Sequence, residues 1–420
     1  MKAERVKTEI PDDKKSIREA VYGAIDFAQD TSDEQIYALI DREMASGERM
    51  RRLTIGSRRQ LRREIFAEIR ELDVLQALLD DPDVTEIMVN GPEQIFIERA
   101  GRLMLYDKCF SSAERLGDVI QKIVASCNRT VNEASPIVDA RLKGARVNVV
   151  LKPVALNGPI LTIRRFPQHR IDMEALIRFG ALDAYLASYL QTLVRAGYNI
   201  FVSGGTGSGK TTFLNALSDA IPVDARVITI EDSAELQITH VPNLVSLEVR
   251  AAGMTDCREI TIRDLIKASL RMRPDRIVVG EVRGEEAIDM IQAMNTGHDG
   301  SMSTGHANST RDMLHRLETM ILMGMEIPLA AVRGQLAAGI DLVVHLGRLR
   351  DHSRKVLEIA EVTGRTDPAG GEIETRTLYR FREKGVGEDD RITGTWEEEG
   401  LLENRGKLKA AGLALPALQK

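Results

Sequence analysis

The sequence predicts an α/β protein: a mainly parallel sheet covered by helices, preceded by a small α+β unit and an N-terminal bundle of helices. Three observations predict it. Residues 204–211 read Gly-Gly-Thr-Gly-Ser-Gly-Lys-Thr, a complete G-x-x-x-x-G-K-[ST] phosphate loop between an apolar strand candidate and a helical segment. From Asp183 onward, short apolar strands alternate with helical spacing, the rhythm of a parallel sheet. Between residues 73 and 166, strand candidates instead come in close pairs around turns, as in hairpins.

Taken in chain order, residues 1–70 carry three amphipathic helices. Ser16–Ala28 aligns Ile17, Ala20, Val21 and Ile25. Asp33–Met44, with Asp33 as its cap, aligns Ile36, Leu39 and Ile40; Arg58–Leu72 aligns Leu61, Ile65, Ile69 and Leu72. Their polar faces read as solvated bundle surfaces or as a partner-docking module. Residues 71–166 form the α+β unit. It has a short helix Leu75–Leu79, a strand Glu86–Gly91, a hairpin Gln94–Tyr106, a helix Leu116–Cys127, and strands Arg146–Val150 and Ile160–Arg164. Residues 167–182 read as a linker that turns into a helix, and 183–420 as the phosphate-loop domain with a C-terminal extension. Its strands are Asn199–Ser203, Val227–Glu231, Leu244–Val249, Arg276–Val279, Gly300–Thr304 and Leu342–Leu346, with one more in the tail, Arg376–Phe381; the end, from Ala410 to Pro416, reads as weakly structured.

Composition narrows the classes. Of 420 residues 43% are hydrophobic but only 4% aromatic, so the core is aliphatic. The net charge of −6 gives no global basic field for nucleic acid, and stacking aromatics are scarce. Cys109, Cys127 and Cys257 form no C-x-x-C pair, which argues against a zinc knuckle or a disulfide framework and for reduced thiols in the cytosol. The longest apolar region, Met320–Leu346, contains Glu326, Arg333 and Asp341 and reads as core, since a membrane span needs about 20 mostly apolar residues.

The chemistry follows from the loop. Gly204, Gly205, Gly207 and Gly209 permit the inward turn of backbone amides, with Thr206 and Ser208 between them, at the start of a helix whose dipole favours anions. Lys210 is placed for the β- and γ-phosphates of ATP, Thr211 for Mg²⁺, and Thr212 continues the cradle. Hydrolysis needs more. Ile277–Val279 leads to Glu281, which can hold Mg²⁺ through water or polarise the attacking water. Val227–Ile230 leads to Glu231, the favoured water-activating base. His298 and His306 lie in a Gly/Ser/Thr-rich stretch suited to sensing the γ-phosphate; core or capping histidines are the plain alternative. Arg146, Arg164 and Arg165 end or open strands of the preceding unit. They read either as surface cations or as charges supplied to the transferring phosphoryl group from another domain or subunit.

Four boxes in order, GGTGSGKTT (Gly204–Thr212), TIEDSAEL (Thr229–Leu236), RMRPDRIVVGEVRG (Arg271–Gly284) and MNTGHDGSMSTGHANS (Met294–Ser309), resemble the type II/IV secretion ATPase superfamily. ARLKGARVNVV, GPILTIRRF, RKVLEIAEVTG and KLKAAGL extend the likeness, which is nearest to CpaF-type ATPases of tight-adherence (Flp) pilus systems. The resemblance implies a RecA-like ATPase domain hinged to an N-terminal α/β domain, in a ring that is usually a hexamer. It implies a cytoplasmic motor acting on inner-membrane platform proteins, with ATP and Mg²⁺ and without nucleic acid or a membrane span of its own. It places Lys210 and Thr211 in the Walker A role, Glu281 in the Walker B role, Glu231 as the catalytic acid, His298 or His306 in the histidine box, and Arg146, Arg164 and Arg165 as γ-phosphate contacts. The four-cysteine element of some type II relatives is absent. A type IV secretion or conjugation ATPase is the sister reading; a phosphate-loop kinase and a nucleic-acid motor are the rivals from other classes.

Overall fold

The computed structural model describes residues 11–25, 31–46, 53–99, 101–142, 144–166, 170–250, 258–367, 371–387 and 390–417. Residues 26–28 of the first expected helix, His169 and Cys257 lie outside them. The chain divides into two units, Met1–Gln168 and His169–Lys420.

In the first unit, α1 (Pro11–Ala24), α2 (Asp33–Ser46) and α3 (Ile55–Arg70) close around Ile17, Val21, Ile36, Ile40, Leu61 and Ile65. The expected cap of α2 is off by one residue. Ser32 Oγ accepts from Gln35 N, and Gln35 Oε1 accepts from Ser32 N, which makes a capping box with Asp33 already inside the helix. A six-stranded antiparallel sheet follows, in the order β3-β2-β1-β6-β5-β4. Its strands are β1 (Val84–Asn90), β2 (Ile95–Arg99), β3 (Arg102–Leu105), β4 (Ile137–Leu142), β5 (Ala145–Val150) and β6 (Ile160–Arg165). One face packs on α4 (Val74–Asp80) and α5 (Ala113–Ser126) through Leu75, Leu116, Ile120 and Ile123. Sequence reading missed β4. Its side chains are mostly exposed or half-buried, so the apolar alternation that marks a core strand is weak there.

The second unit is built on a nine-stranded sheet, β15-β14-β13-β12-β7-β11-β10-β8-β9. The run from β12 to β9 is parallel: β12 (Leu342–Arg348), β7 (Ile200–Gly204), β11 (Met302–His306), β10 (Arg276–Val279), β8 (Val227–Glu231) and β9 (Leu244–Glu248). Strand β7 is wholly buried because both faces are covered, which is why it reads as an unbroken apolar run. Ile200 and Val202 face α7 (Ala184–Arg195) and α8 (Lys210–Ser218) in one aliphatic cluster. Phe201 faces α10 (Ala287–Asn295), α11 (Thr310–Gly324) and α12 (Leu329–Gly339) in the other. The expected linker contains a helix, α6 (Met173–Arg178), capped by Asp172.

The tail departs furthest from expectation. In place of one strand it supplies an antiparallel meander, β13 (Arg354–Thr366), β14 (Ile373–Val386) and β15 (Ile392–Glu398), that extends the parallel sheet beyond β12. A last helix, α13 (Gly406–Ala410), buries Leu408 in the same cluster as β7. Among the described residues no helix is long and apolar enough to cross a membrane.

Candidate functional site

Strand β7 ends at Gly204 and α8 begins at Lys210, so the phosphate loop sits at the carboxyl end of a central parallel strand. The chain leaves β7 for β8, with β11 and β10 lying between them, while β12 lies on the other side of β7; this is the switch point where open α/β sheets bind ligands. Glycine is required at two positions by contact. A Cβ on Gly204 would stand 2.6 Å from Leu346 O, and Gly209, the residue ahead of α8, has φ +90°. Ser208 is buried within the loop and its Oγ has no hydrogen-bond partner among the described residues. Gly205, Thr206 and Gly207 are exposed; Thr211 and Thr212 are half-buried in the first turn of α8.

Lys210 is the hub. It is buried, and its Nζ donates to Gly204 O at 3.1 Å and Gly205 O at 3.0 Å. Burial pulls its ammonium below the usual lysine range, with Glu281 opposing. Its Nζ is also 3.2 Å from His306 Nδ1. An ammonium has only donors, so Nδ1 must accept and the ring proton sits on Nε2. That Nε2 lies 3.0 Å from Glu281 Oε1. Burial, opposed by Glu281 and reinforced by Lys210, keeps the His306 imidazole below its ordinary pKa and hence neutral at pH 7. Glu281 Oε2 is held by Arg283 Nη2 at 2.8 Å, and Arg283 Nη1 lies 3.5 Å from Asp232. One chain of contacts thus joins the phosphate loop to the ends of β11, β10 and β8.

Glu281 Oε1 is a buried acceptor; the approach of His306 is an ion-pair distance without hydrogen-bond geometry, so that oxygen remains unsatisfied. An unsatisfied carboxylate oxygen in contact range of the phosphate-loop machinery suits hydrated Mg²⁺, whose hard oxygen ligands are carboxylates, hydroxyls and water.

Glu231 closes β8 and is 3% exposed. Its Oε1 accepts from Glu235 N at 2.9 Å and Leu236 N at 3.0 Å. Burial outweighs those bonds and pushes the carboxyl up to about 7. Gly280 on the next strand admits it: a Cβ there would meet Glu231 Cγ at 3.0 Å. Two carboxylates at adjacent strand ends therefore have opposite surroundings. Glu281 is paired with Arg283 and lies near Lys210; Glu231 is buried, accepts from two amides and has the Glu235 and Glu248 carboxylates as charged neighbours, an arrangement that suits a proton acceptor working near neutral pH.

The two histidines separate. His306 stands level with Gly204 in the ladder between β11 and β7. His298 precedes β11, at the opposite end of the sheet, with Nδ1 3.2 Å from Ala293 O at the C-terminal turn of α10. His306→Ala should lower turnover about tenfold or more. His298→Ala should cost about 1 kcal/mol of stability and leave turnover intact. Steady-state phosphate release and melting of both variants check this, and equal kinetic losses would contradict the placement.

In the first unit, Arg146 and Arg164 are direct cross-strand neighbours on β5 and β6. Arg146 lies 3.8 Å from Asp139, and exposed Arg164 takes no partner among the described residues. Arg165 differs from the expectation for a phosphate contact: its Nη1 donates to the carbonyls of Asp81 and Val84, which ties the start of β1 to β6. Arg283 went unnoticed in the sequence, though it sits two residues from Glu281. So did the buried contact beneath the loop, Ser203 Oγ to His345 Nδ1 at 2.7 Å, which only the pairing of β7 with β12 reveals.

Comparison with known proteins shows the family. The family described as Type II/IV secretion system protein matches residues 68–389. A putative conjugal transfer protein of Mycobacterium tuberculosis is 34% identical over 340 residues, which are 78% of this chain and 95% of that protein. The type IV secretion system protein VirB11 of Brucella suis is 33% identical over 304 residues, 66% of this chain and 84% of that protein. The fold is shared with the Yersinia pseudotuberculosis ATPase DotB at a TM-score of 0.51 and 16% identity, over 71% of this chain and 80% of that one. The chain belongs to the Type II/IV secretion system protein family and is an ATP hydrolase.

Proposed function

We propose that this ATP hydrolase is the ring-forming motor of a type IV secretion or conjugation machine. The observation that carries this reading is the similarity to a conjugal transfer protein across 95% of that protein's length; the likeness to VirB11 points the same way. Six copies would act on the cytoplasmic side of inner-membrane platform proteins. Within each, Lys210 and the loop amides grip the β- and γ-phosphates. Thr211 and Glu281 would hold Mg²⁺, which when bound supplies positive charge to the phosphate oxygens. Glu231 takes the proton of the attacking water, and His306 links occupancy of the loop to Glu281 and Arg283. Arg164, without a partner among the described residues, is the cation of the first unit best suited to meet a phosphate, with Arg146 beside it; Arg165 is a structural tie.

Flp pilus assembly by a CpaF-type motor is the second reading, supported by the sequence boxes and by helices α1 and α2, which precede the family match at residue 68. A Lys210→Ala allele in the native host separates the two. Loss of DNA or protein transfer to recipient cells with surface pili intact is the expected result; pili lost with transfer intact would move the assignment to pilus assembly. Purified Lys210→Ala protein should release no phosphate from ATP.

A further inference from the structure

The phosphate loop has two flanks. On one, β11, β10 and β8 bring His306, Glu281 and Glu231, the groups assigned above to the hydrolysed phosphate. The other flank is β12. There Leu346 pairs with Gly204, and the strand turns back through a hairpin into β13. Leu346 and Val356 of this hairpin share a cluster with Phe213 and Leu214 of α8, so the hairpin and the phosphate-loop helix occupy the same face of the sheet.

Arg354 opens β13. Its Nε donates to Gly207 O at 2.8 Å, and its Cδ would lie 3.3 Å from a Cβ on Gly209. The guanidinium is therefore strapped across the loop at the bend that receives phosphate. Its two terminal nitrogens take no acceptor among the described residues, and the side chain is exposed. Directly across the ladder is Arg348, also exposed, whose hydrogen bond runs to His352 Nδ1 at 3.1 Å and, among the described residues, to no acid. Like charges placed opposite each other repel. Elsewhere on the same meander the arginines meet carboxylates: Arg350 with Glu383, Arg365 with Glu374, Arg382 with Glu399. The pair beside the phosphate loop has no such acid among the described residues.

We propose that Arg354 is a nucleotide-binding residue that holds the α-phosphate of ATP and ADP, with Arg348 adding positive charge behind it. The bond from Nε fixes the guanidinium plane while leaving terminal N–H groups, the fork that suits phosphate oxygens. Lys210 then serves the β- and γ-phosphates and Arg354 the α-phosphate, from opposite sides of one loop. The inference rests on ATP being the substrate and concerns affinity for the nucleoside end.

The test is equilibrium titration of the full-length chain with ADP and, separately, with pyrophosphate, which fills the loop without an α-phosphate or nucleoside. Arg354→Gln should weaken ADP about tenfold and pyrophosphate less than about twofold, the loss expected for one charge-assisted hydrogen bond. Arg354→Lys, which keeps the charge but not the strap, should recover about a third of that loss on the logarithmic scale, and in turnover the change should fall in KM. Melting confirms that each variant is folded. Should Arg354→Gln fold poorly, Arg348→Ala should still weaken ADP about two- to threefold. ADP affinity unchanged in both variants overturns the proposal. So does equal weakening of ADP and pyrophosphate, which would make Arg354 a loop strap alone, or a lysine variant no better than the glutamine one. Pyrophosphate failing to bind the unmodified chain would instead strike at the phosphate-loop reading itself.

Discussion

Glu231→Gln should abolish most turnover and at the same time make the protein more stable above neutral pH. The two effects share one cause. The carboxyl is buried at the end of β8, where it accepts from the amides of Glu235 and Leu236; burial first, and then the Glu235 and Glu248 carboxylates, push it up to about 7 against those bonds. As a base it must be ionised, so phosphate release by the unmodified protein should rise through pH 7 with a single ionisation. A glutamine of the same shape can accept the same amide protons but cannot take a proton from water, which removes a general base and costs about 10²- to 10⁴-fold in kcat. For stability the sign runs the other way. The folded pKa lies above the ordinary carboxyl value of 4.5, so the native state binds the proton more tightly than the unfolded chain. Stability is fully present below about pH 4.5 and is lost as pH rises through about 7. The ionised carboxylate then costs up to about 3 kcal/mol, less whatever solvent relaxation recovers. The variant should accordingly unfold at higher denaturant than the parent at pH 8 and match it near pH 5. Urea titrations at the two pH values, paired with a kinetic pH profile, measure both. An active glutamine variant would remove Glu231 from the chemistry, and equal stability at pH 8 would mean that its charge is better solvated than its burial implies.

The same residue shows how far sequence reading reaches. Strands β8 and β10 were legible to the residue because their apolar runs are buried on both faces and end in acids. The loop was legible because its backbone demands glycines at fixed spacing. What could not be read is which carboxylate meets cations. That depends on β10 lying beside β11, so that His306 comes between Lys210 and Glu281, and strand order is not written in local pattern. The two histidines looked equivalent because they lie eight residues apart in similar surroundings; a single strand, β11, carries one to each end of the sheet. The meander beyond residue 354 was only partly legible. Its middle strand, β14, contains the expected Arg376–Phe381, whereas β13 and β15 went unread: the apolar run of β13 is broken by Glu358 and Glu361, which are buried, and β15 is mostly exposed or half-buried.

The C-terminal segment supplies the second large effect, far from the phosphate loop. Asn199, at the start of β7, organises the opposite end of the sheet. Its Oδ1 accepts from Gly300 N and Ser301 N, its Nδ2 donates to Gly339 O, and its backbone N–H donates to Asp341 Oδ2. Asp341 is buried, which pushes its carboxyl above the usual aspartate range, and the group that opposes this is Lys407 of α13, with Nζ 2.6 Å from Oδ2. Lys407 also reaches Asp299 at 2.7 Å, while the amides of Glu403 and Asn404 donate to buried Glu361. Residues 403–407, which the sequence reading assigned to no element, therefore supply the counter-charge and donors for two buried acids. Lys407→Met keeps the aliphatic stem but leaves Asp341 without its cation, and breaking such a pair from one side costs about 3 kcal/mol. The pH dependence identifies the cause. With the folded pKa of Asp341 raised further, the variant should be weakest above neutral pH and recover toward its parent as acid protonates the carboxyl. Asp341→Asn added to Lys407→Met should restore most of the loss at pH 8, because the uncompensated charge is then gone while the amide of Asn199 keeps an acceptor. Chemical denaturation of the single and double variants at pH 5 and pH 8 decides it. A loss that is independent of pH, or that the second substitution fails to reverse, would show that Lys407 acts by packing against Tyr198 and not by charge.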